Sequence, residues 1–583
     1  MSDPISIIPD ISRTDRLDRM DASTPKVLII GGGINGASAY RELALNGVSV
    51  MLAEKGDFCA GASSALSRMV HGGLRYLENG EFDLVREALD ERNRLLANAP
   101  HLVRPLRTVV PIESWFSGSL NAPLKFMGFS RAPSRRGALP VKLGLSFYDL
   151  YTRGKGGMPK HAFLSGKKAK ERFPFRREVR CAAAYYDGQV SHPERIVTEM
   201  FEDVGRAGQE AIALNYLEVS DIGETEVTLN DRIGGRKITM RPDVIINATG
   251  AWIDMTNRRL ETGPEPMVQG TKGSHLVLDH PVLRDMLGED MVYFENTDGR
   301  ICIMFCLHGM VLIGSTDIKV PDPDHARCEE DERDYILEGV RWVFPGLDIS
   351  RDHIRHIFSG VRPLPVSTAG TTGQIPRGHF NAWIEPEAGQ AHPPVLCMIG
   401  GKWTTFRAFG ELAADDVLTR LGLPRMLDTK ALPIGGGCGF PQNPEALVSR
   451  IRADSGLSER RVARLVERYG TLAGPLAKRF STETMLAGLP DYSMEEIDYL
   501  ITTEQVETLA DLALRRTTVA LSGGLDSAAL EEMADRLCVA KEWTRTQRDE
   551  AVRAFREKLV ADHGATRARI ESRDTAHWTE AAQ

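Results

Sequence analysis

A chain of 583 residues is too long for one ordinary core, so two or three domains are expected. With 42% hydrophobic and 26% charged residues it has the composition of a soluble globular protein, and a net charge of −8 argues against general nucleic-acid binding, which wants a basic footprint. Eight scattered cysteines without a C-x-x-C pair suit a reducing compartment and offer neither a disulfide framework nor a zinc site, so no metal is expected.

The first stretch, residues 1–24, carries acids throughout and no sustained apolar core, which makes it an N-terminal extension and not a secretory signal. Nowhere does an apolar run approach the roughly 18 residues needed to span a bilayer, so the chain is expected to be soluble or peripheral. "KVLIIGGGINGASAYRELALNGVSVMLAEKGDF" (26–58) reads as a buried strand from Val27 to Ile30, a glycine turn, an apolar-periodic helix and a second strand from Val48 to Leu52. Gly31, Gly33 and Gly36 fit G-x-G-x-x-G, and Glu54 lies 18 residues beyond Gly36. Such glycines let backbone N–H groups and a helix N-terminus approach a pyrophosphate, and the acid accepts from a ribose hydroxyl.

In "RMVHGGLRYLENGEF" (68–82), Gly72 and Gly73 stand between His71 and the pair Arg75–Tyr76. A double glycine costs backbone entropy, and a buried ligand carrying negative charge would explain both the glycines and the arginine. Arg86, Arg92 and Arg94 downstream read as charges on a helix surface. Residues 113–160 interleave aromatics with Lys125, Arg131, Arg135, Arg136, Lys142, Arg153 and Lys155. They suit either an anionic lipid surface or a solvated excursion with buried aromatics.

From 176 to 260 short strands and one helix close with "DVIINATGAWID", and from 262 to 355 alternating strands dominate. "PPVLCMIGGKWTTFRAFGELAADDVLTRLG" gives a buried strand, a glycine turn and a long helix; "LPIGGGCGFPQNP" (432–444) is a linker by composition, and the rest is mostly helical. "VALSGGLDSAAL" imitates the S-G-G-x-D-S loop of ATP pyrophosphatases, but its helical flanks favour a turn at Gly523 and Gly524 with Asp526 or Ser527 opening the next helix.

Taken in one order, "GGGINGAS", "HGGLRYLE", "NATGAW", "KGSH", "IGSTD", "SGVRPL" and "GGKWTTFR" resemble the FAD-dependent, quinone-linked glycerol-3-phosphate dehydrogenases from about residue 25 to 420, and the helical tail resembles them more loosely. The resemblance implies an α/β plus α architecture: a discontinuous, Rossmann-like FAD-binding domain of the glutathione-reductase/amino-acid-oxidase type, a mixed-sheet substrate domain and a helical C-terminal domain. The expected division is FAD-binding segments at 25–112, 176–257 and 355–425, a basic, aromatic insertion at 113–175, a substrate domain at 258–354 and a helical domain at 426–583.

The same resemblance implies oxidation of sn-glycerol 3-phosphate to dihydroxyacetone phosphate by hydride transfer to FAD, with electrons passed to quinone. One nucleotide fingerprint, where NAD(P)H-reduced flavoproteins usually carry two, agrees with electrons arriving from the substrate itself. Partners are then a small phosphorylated polyol, the quinone pool and the inner face of the cytoplasmic membrane, with room for a homodimer and no role for nucleic acid.

His275 in "KGSH" is the implied general base and Arg362 in "SGVRPL" the cation facing the reacting oxygen, its alternative being a buried ion pair with an acid. Arg75, Tyr76, Arg377 and Lys402 form the implied phosphate cluster, with Thr404 and Thr405 offering hydroxyls. Gly72 and Gly73 close on the flavin; Ser63, Ser64 and Ser67 line the pyrophosphate or flavin edge unless they cap helices; His71 is left open as a flavin contact. Gly31, Gly33, Asn35, Gly36, Glu54, Ala248, Gly250, Gly401, Lys402 and Thr405 complete the cofactor set. Three departures from the family pattern bear on the substrate: "VSHPER" at 190–195, the Thr/Gly-rich stretch after "SGVRPL", and Gly378–His379 beside Arg377. They open the alternative of a longer phosphorylated polyol such as erythritol phosphate; a peroxide-forming oxidase of glycerol 3-phosphate is a separate alternative within the same chemistry.

Overall fold

The computed structural model describes residues 6–73, 81–115, 138–152, 158–260, 265–367, 378–386, 392–566, 568 and 570. A six-stranded sheet runs His379–Ile384, Val395–Gly400, Val244–Asn247, Val27–Ile30, Val50–Ala53, Ala211–Leu214. All its pairs are parallel except the first. Its central strands are apolar runs because both faces are covered, one of them by Ile34–Leu45 and Phe406–Leu421.

The other face is covered in part by the N-terminal stretch. Its helix Arg13–Ala22 buries Leu17 and Met20 against Leu28 and Ile245, and Arg13 pairs with Asp231 at 2.6 Å. Residues 13–22 are thus part of the nucleotide-binding unit and not an appendage.

The second sheet, of ten strands, is built around the strands of the expected substrate domain and is called the substrate sheet below. Its long strand Val268–Leu278 pairs along its whole length with Ile354–Pro365 on one edge, and with Met310–Gly314 and Ile318–Val320 on the other. The sheet continues through Ile301–Leu307, Asp290–Glu295, Val103–Ile112, Cys181–Val190 and Met69–Val70. The boundaries 25–112, 176–257 and 355–425 therefore need correction, since each of those segments sends at least one strand into the substrate sheet. Strand composition does not say which sheet a strand joins; hydrogen-bonded neighbours far along the chain decide it.

Of the insertion, Ala138–Thr152 packs Val141, Leu145 and Tyr148 against Val85 and Leu89, and Ala162–Ser165 pairs with Cys181–Val190. Lys125, Arg131, Arg135, Arg136, Arg153 and Lys155, on which a lipid surface would rest, lie outside the described residues. No helix among the described residues is long and apolar enough to cross a membrane.

The helical region from Pro444 onward has its own core. Asp526 caps Ser527–Ala540 by accepting from the Ala529 N–H, as the turn reading expects. The stretch 432–444 is not a loose linker: Gly435, Gly436 and Gly437 are buried, and a Cβ on Gly436 or Gly437 would stand 1.9 Å from Tyr469 O or 2.1 Å from Asn98 O. Its glycines serve close packing between the two units, which composition alone reads as flexibility.

Candidate active site

The two sheets wall a cavity of about 1160 Å³. On the nucleotide side, Val27–Ile30 ends at Gly31, where φ is +111° and a Cβ would stand 2.7 Å from Ala248 O. The helix Ile34–Leu45 starts at once and aims its N-terminus at the cavity, a natural seat for an anion. At the end of Val50–Ala53, the Glu54 carboxylate accepts from the N–H groups of Gly32 at 2.7 Å and Gly56 at 2.8 Å. Burial raises its pKa and those two donors oppose the rise.

The substrate side follows from the period of two along paired strands. Register sets His275 opposite Phe358, Gly273 opposite Gly360 and Thr271 opposite Arg362, so these residues share one face. Two missing side chains carve the trough: a Cβ on Gly314 would stand 2.2 Å from His275 Cδ2, and one on Gly273 would stand 2.1 Å from Arg362 Nη2. The glycines of "KGSH" and "IGSTD" are there to seat the histidine and the arginine. On the opposite face, Ser274 donates to Glu332 and Lys272 pairs with Glu332 at 2.6 Å, tying the strand to Glu330–Val343.

His275 is buried, stacked on Phe358 with ring centroids 5.0 Å apart, and neither ring nitrogen has a hydrogen-bond partner among the described residues. Burial first, then the Arg362 and Arg68 charges, lower its pKa to about 3. Arg362 donates to Ser315 Oγ at 3.1 Å and meets Asp317 at 3.3 Å, so its cation is oriented by the "STD" turn. The ion pair with an acid is present, and Arg362 lines the cavity all the same. Gly314→Ala is expected to cut kcat about 10- to 100-fold, since relieving an overpacking of about 1–3 kcal/mol must move the imidazole. Turnover by the FAD-loaded variant checks this; a native kcat would show that the ring yields without consequence.

Gly31, Gly33, Asn35, Glu54, Ser63, Ser67, Gly73, Ala248, Gly250, Gly401, Lys402 and Thr404 line the cavity with His275, Arg362 and His71. Ser63 also accepts from the Ile34 N–H at 2.9 Å, so capping and cavity lining coincide there, and Thr404 Oγ1 accepts from the His71 N–H at 3.2 Å. Gly36, Ser64, Gly72 and Thr405 are not among the residues that line the cavity. A Cβ on Gly36 would be 2.0 Å from Gly31 O and one on Gly72 2.4 Å from Leu89, so both are packing glycines; the Ser64 and Thr405 hydroxyls donate to Gly61 O and Lys402 O. Arg75, Tyr76 and Arg377 lie outside the described residues.

Arg92 is the clearest misreading of the sequence. It is fully buried and not on a helix surface, pairing with Asp187 at 3.0 Å and donating to Tyr148 Oη at 2.7 Å. Asp187 and Tyr148 also take the Gly72 N–H, each at 3.3 Å, so this cluster fixes the approach to the double glycine. Arg94 is partly covered and bonds the buried Glu91, whereas Arg86 is exposed. Tyr185, Asp187, Tyr293, Arg300 and Trp403 line the cavity and were missed. The i, i+2 spacing in "YYDGQV" was the signal for the first two.

Asn35 Oδ1, Trp403 Nε1 and both His275 nitrogens are buried without partners among the described residues, and all three residues line the cavity. Buried polar atoms are nearly always paired, so this wall is built for a ligand with its own donors and acceptors. Together with the helix N-terminus and Glu54, it fits a dinucleotide.

Residues 26–415 match the FAD dependent oxidoreductase family, and residues 427–548 match the C-terminal domain of alpha-glycerophosphate oxidase. Among curated proteins, a glycerol-3-phosphate dehydrogenase of Synechocystis sp. is 32% identical over 91% of this chain and 96% of its own length. D-erythritol 1-phosphate dehydrogenase of Brucella abortus is 31% identical over 85% of this chain and 95% of its own. The fold is that of the glycerol-3-phosphate dehydrogenase from Bacillus halodurans, solved with FAD, at a TM-score of 0.71 and 23% identity over 94% of this chain and 97% of that one. Lined by a fingerprint glycine turn on one sheet and a histidine–arginine trough on the other, and matched along nearly its whole length, the chain belongs to the FAD-dependent glycerol-3-phosphate dehydrogenase family.

Proposed function

We propose that the protein oxidises sn-glycerol 3-phosphate to dihydroxyacetone phosphate and hands the electrons to quinone. The observation that carries this reading is the pair of His275 nitrogens without partners among the described residues, in the same cavity as Arg362 and the glycine turn of the nucleotide sheet. Bound FAD supplies a two-electron acceptor for the carbinol hydride. His275, neutral at working pH, takes the hydroxyl proton, and Arg362, braced by Ser315 and Asp317, stabilises the negative charge that develops on that oxygen. The Lys402 ammonium and the Thr404 hydroxyl hold the phosphate, joined in this proposal by Arg75, Tyr76 and Arg377. Gly31, Gly33, Asn35 and Glu54 hold the cofactor's pyrophosphate and ribose side. Quinone resides in lipid, so the enzyme would work as a peripheral protein at the inner face of the cytoplasmic membrane.

The relatives' names support the substrate class, and the Brucella relative favours one second reading, a four-carbon polyol phosphate. Steady-state reduction of an artificial dye by a panel of phosphorylated polyols decides between them. Glycerol 3-phosphate is expected to give the highest kcat/KM; a preference for erythritol phosphate would displace it. Rapid oxygen uptake without added quinone would identify an oxidase instead. Arg75→Ala is expected to raise KM steeply with FAD retained, and loss of flavin with normal turnover after reconstitution would remove Arg75 from the phosphate cluster.

A further inference from the structure

Lys55 and Trp252 follow the C-terminal ends of Val50–Ala53 and Val244–Asn247, the two strands that flank the central strand Val27–Ile30. Nucleotides lie across the C-terminal ends of such sheets, so these two side chains stand on either side of the crevice. They meet over it: the Lys55 ammonium sits 4.8 Å from the centre of the Trp252 ring. That ring also lies close over Gly61, where a Cβ would be 3.1 Å away.

Asp324 arrives from the substrate side, just past the edge strand Ile318–Val320. Its Oδ1 accepts from Trp252 Nε1–H at 2.7 Å and from the Lys55 ammonium at 3.2 Å. Asp322 holds the turn ready, accepting the Asp324 N–H at 2.9 Å while pairing with His325 at 2.8 Å. Lys55, Trp252 and Asp324 all line the cavity. One carboxylate thus joins the nucleotide sheet to the substrate sheet across the cavity, on the side of the ribose acceptor Glu54.

We propose that Lys55, Trp252 and Asp324 form a clasp over the cofactor crevice that slows the release of FAD. This rests on the cofactor lying along the C-terminal ends of the six-stranded sheet. The clasp must open for the adenosine half to leave, and opening it gives up a charge-assisted hydrogen bond, an ion pair and a cation–π contact together. Its turn is preformed by Asp322, so little ordering is needed to close it again.

The test starts from native holoenzyme and holoenzyme of Asp324→Ala and Trp252→Phe, diluted and desalted at timed intervals, with flavin absorbance retained on the protein as the readout. Asp324→Ala is expected to release FAD about tenfold faster, the worth of one charged hydrogen bond. Trp252→Phe keeps an aromatic ring beside Lys55 but loses the donor and part of the cation–π face, and is expected to speed release less. The double variant should fall short of the product of the two single effects, because both changes break the same hydrogen bond. Asp324 is half exposed, so the melting temperature of the apoprotein is expected to stay native. A release rate from Asp324→Ala equal to native, or strictly multiplicative effects in the double variant, overturns the clasp. Native protein that carries no FAD and takes up none when it is added would instead overturn the placement of the cofactor.

Discussion

His275→Ala is expected to lower kcat by about 10²- to 10⁴-fold, the usual contribution of a positioned general base. No hydrogen bond is lost with it: its nitrogens bond nothing among the described residues, and its ring rests on Phe358. FAD content and the fold should therefore survive, and dye reduction by the flavin-loaded variant reads the effect directly. His275→Gln, which keeps a polar side chain but no base, is expected to be equally slow. The native pH profile makes a second check. With its pKa lowered to about 3 by burial and by the Arg362 and Arg68 charges, His275 is unprotonated in the free enzyme throughout the assay range. Acidification from pH 8 to 5 should then cost kcat/KM no more than the second ionisation of the substrate phosphate, near about 6, accounts for. A kcat within a few-fold of native in His275→Ala would take the proton transfer away from this residue.

The largest expected effect on stability lies at Asp57, three residues past Glu54. Its carboxylate is wholly buried and accepts from Arg516 at 2.8 and 3.0 Å, from Arg515 at 2.5 Å and from Asn215 at 3.0 Å. Burial alone would raise its pKa; the Arg516 and Arg515 charges outweigh that and hold it below the ordinary carboxylate value. Both arginines belong to the helical region, so this cluster seats that region on the nucleotide sheet close to Glu54. Tyr216 donating to Asp511 at 2.7 Å and Asn215 donating to Gln505 O at 2.7 Å extend the same seam. Removing the carboxylate leaves two guanidinium groups buried without their shared anion, and Asp57→Ala is expected to destabilise the protein by about 3–5 kcal/mol. The drop in the denaturation midpoint measures it, and proteolysis near residues 432–444 should accelerate as the helical region loosens. A loss under about 1 kcal/mol would mean that the neighbouring carboxylates, Asp511 at 2.7 Å from Arg515 and Glu504 at 3.7 Å from Arg516, compensate the arginines.

How far the site was legible depended on whether its residues share one stretch of chain. The nucleotide half was readable because strand, glycine turn, helix, strand and acid follow one another within 26–54, and local rules govern each step. His275 and Arg362 were readable only through their flanking words, and the reason for the glycines in those words stayed hidden. Gly314 makes room for His275 from a strand 39 residues later, and no periodicity reports a cross-strand vacancy. Arg92 failed for a related reason. A helix whose neighbours at 86 and 94 are solvated or partly covered looks polar there, and only the arrival of Asp187 and Tyr148 from distant elements turns that position inward. Gly435 to Gly437 failed because a glycine run has the same composition whether it swings freely or lets two backbones touch.

The order of residues along this chain therefore determined its class of fold and its dinucleotide fingerprint, since those depend on spacing within single elements. Tertiary structure alone decided which strands join the substrate sheet, which charges are buried, and how Lys55, Trp252 and Asp324 come together over the crevice. Those outcomes are set by contacts between segments scores to hundreds of residues apart, whose free energies depend on burial and register, and neither quantity exists until the chain has folded.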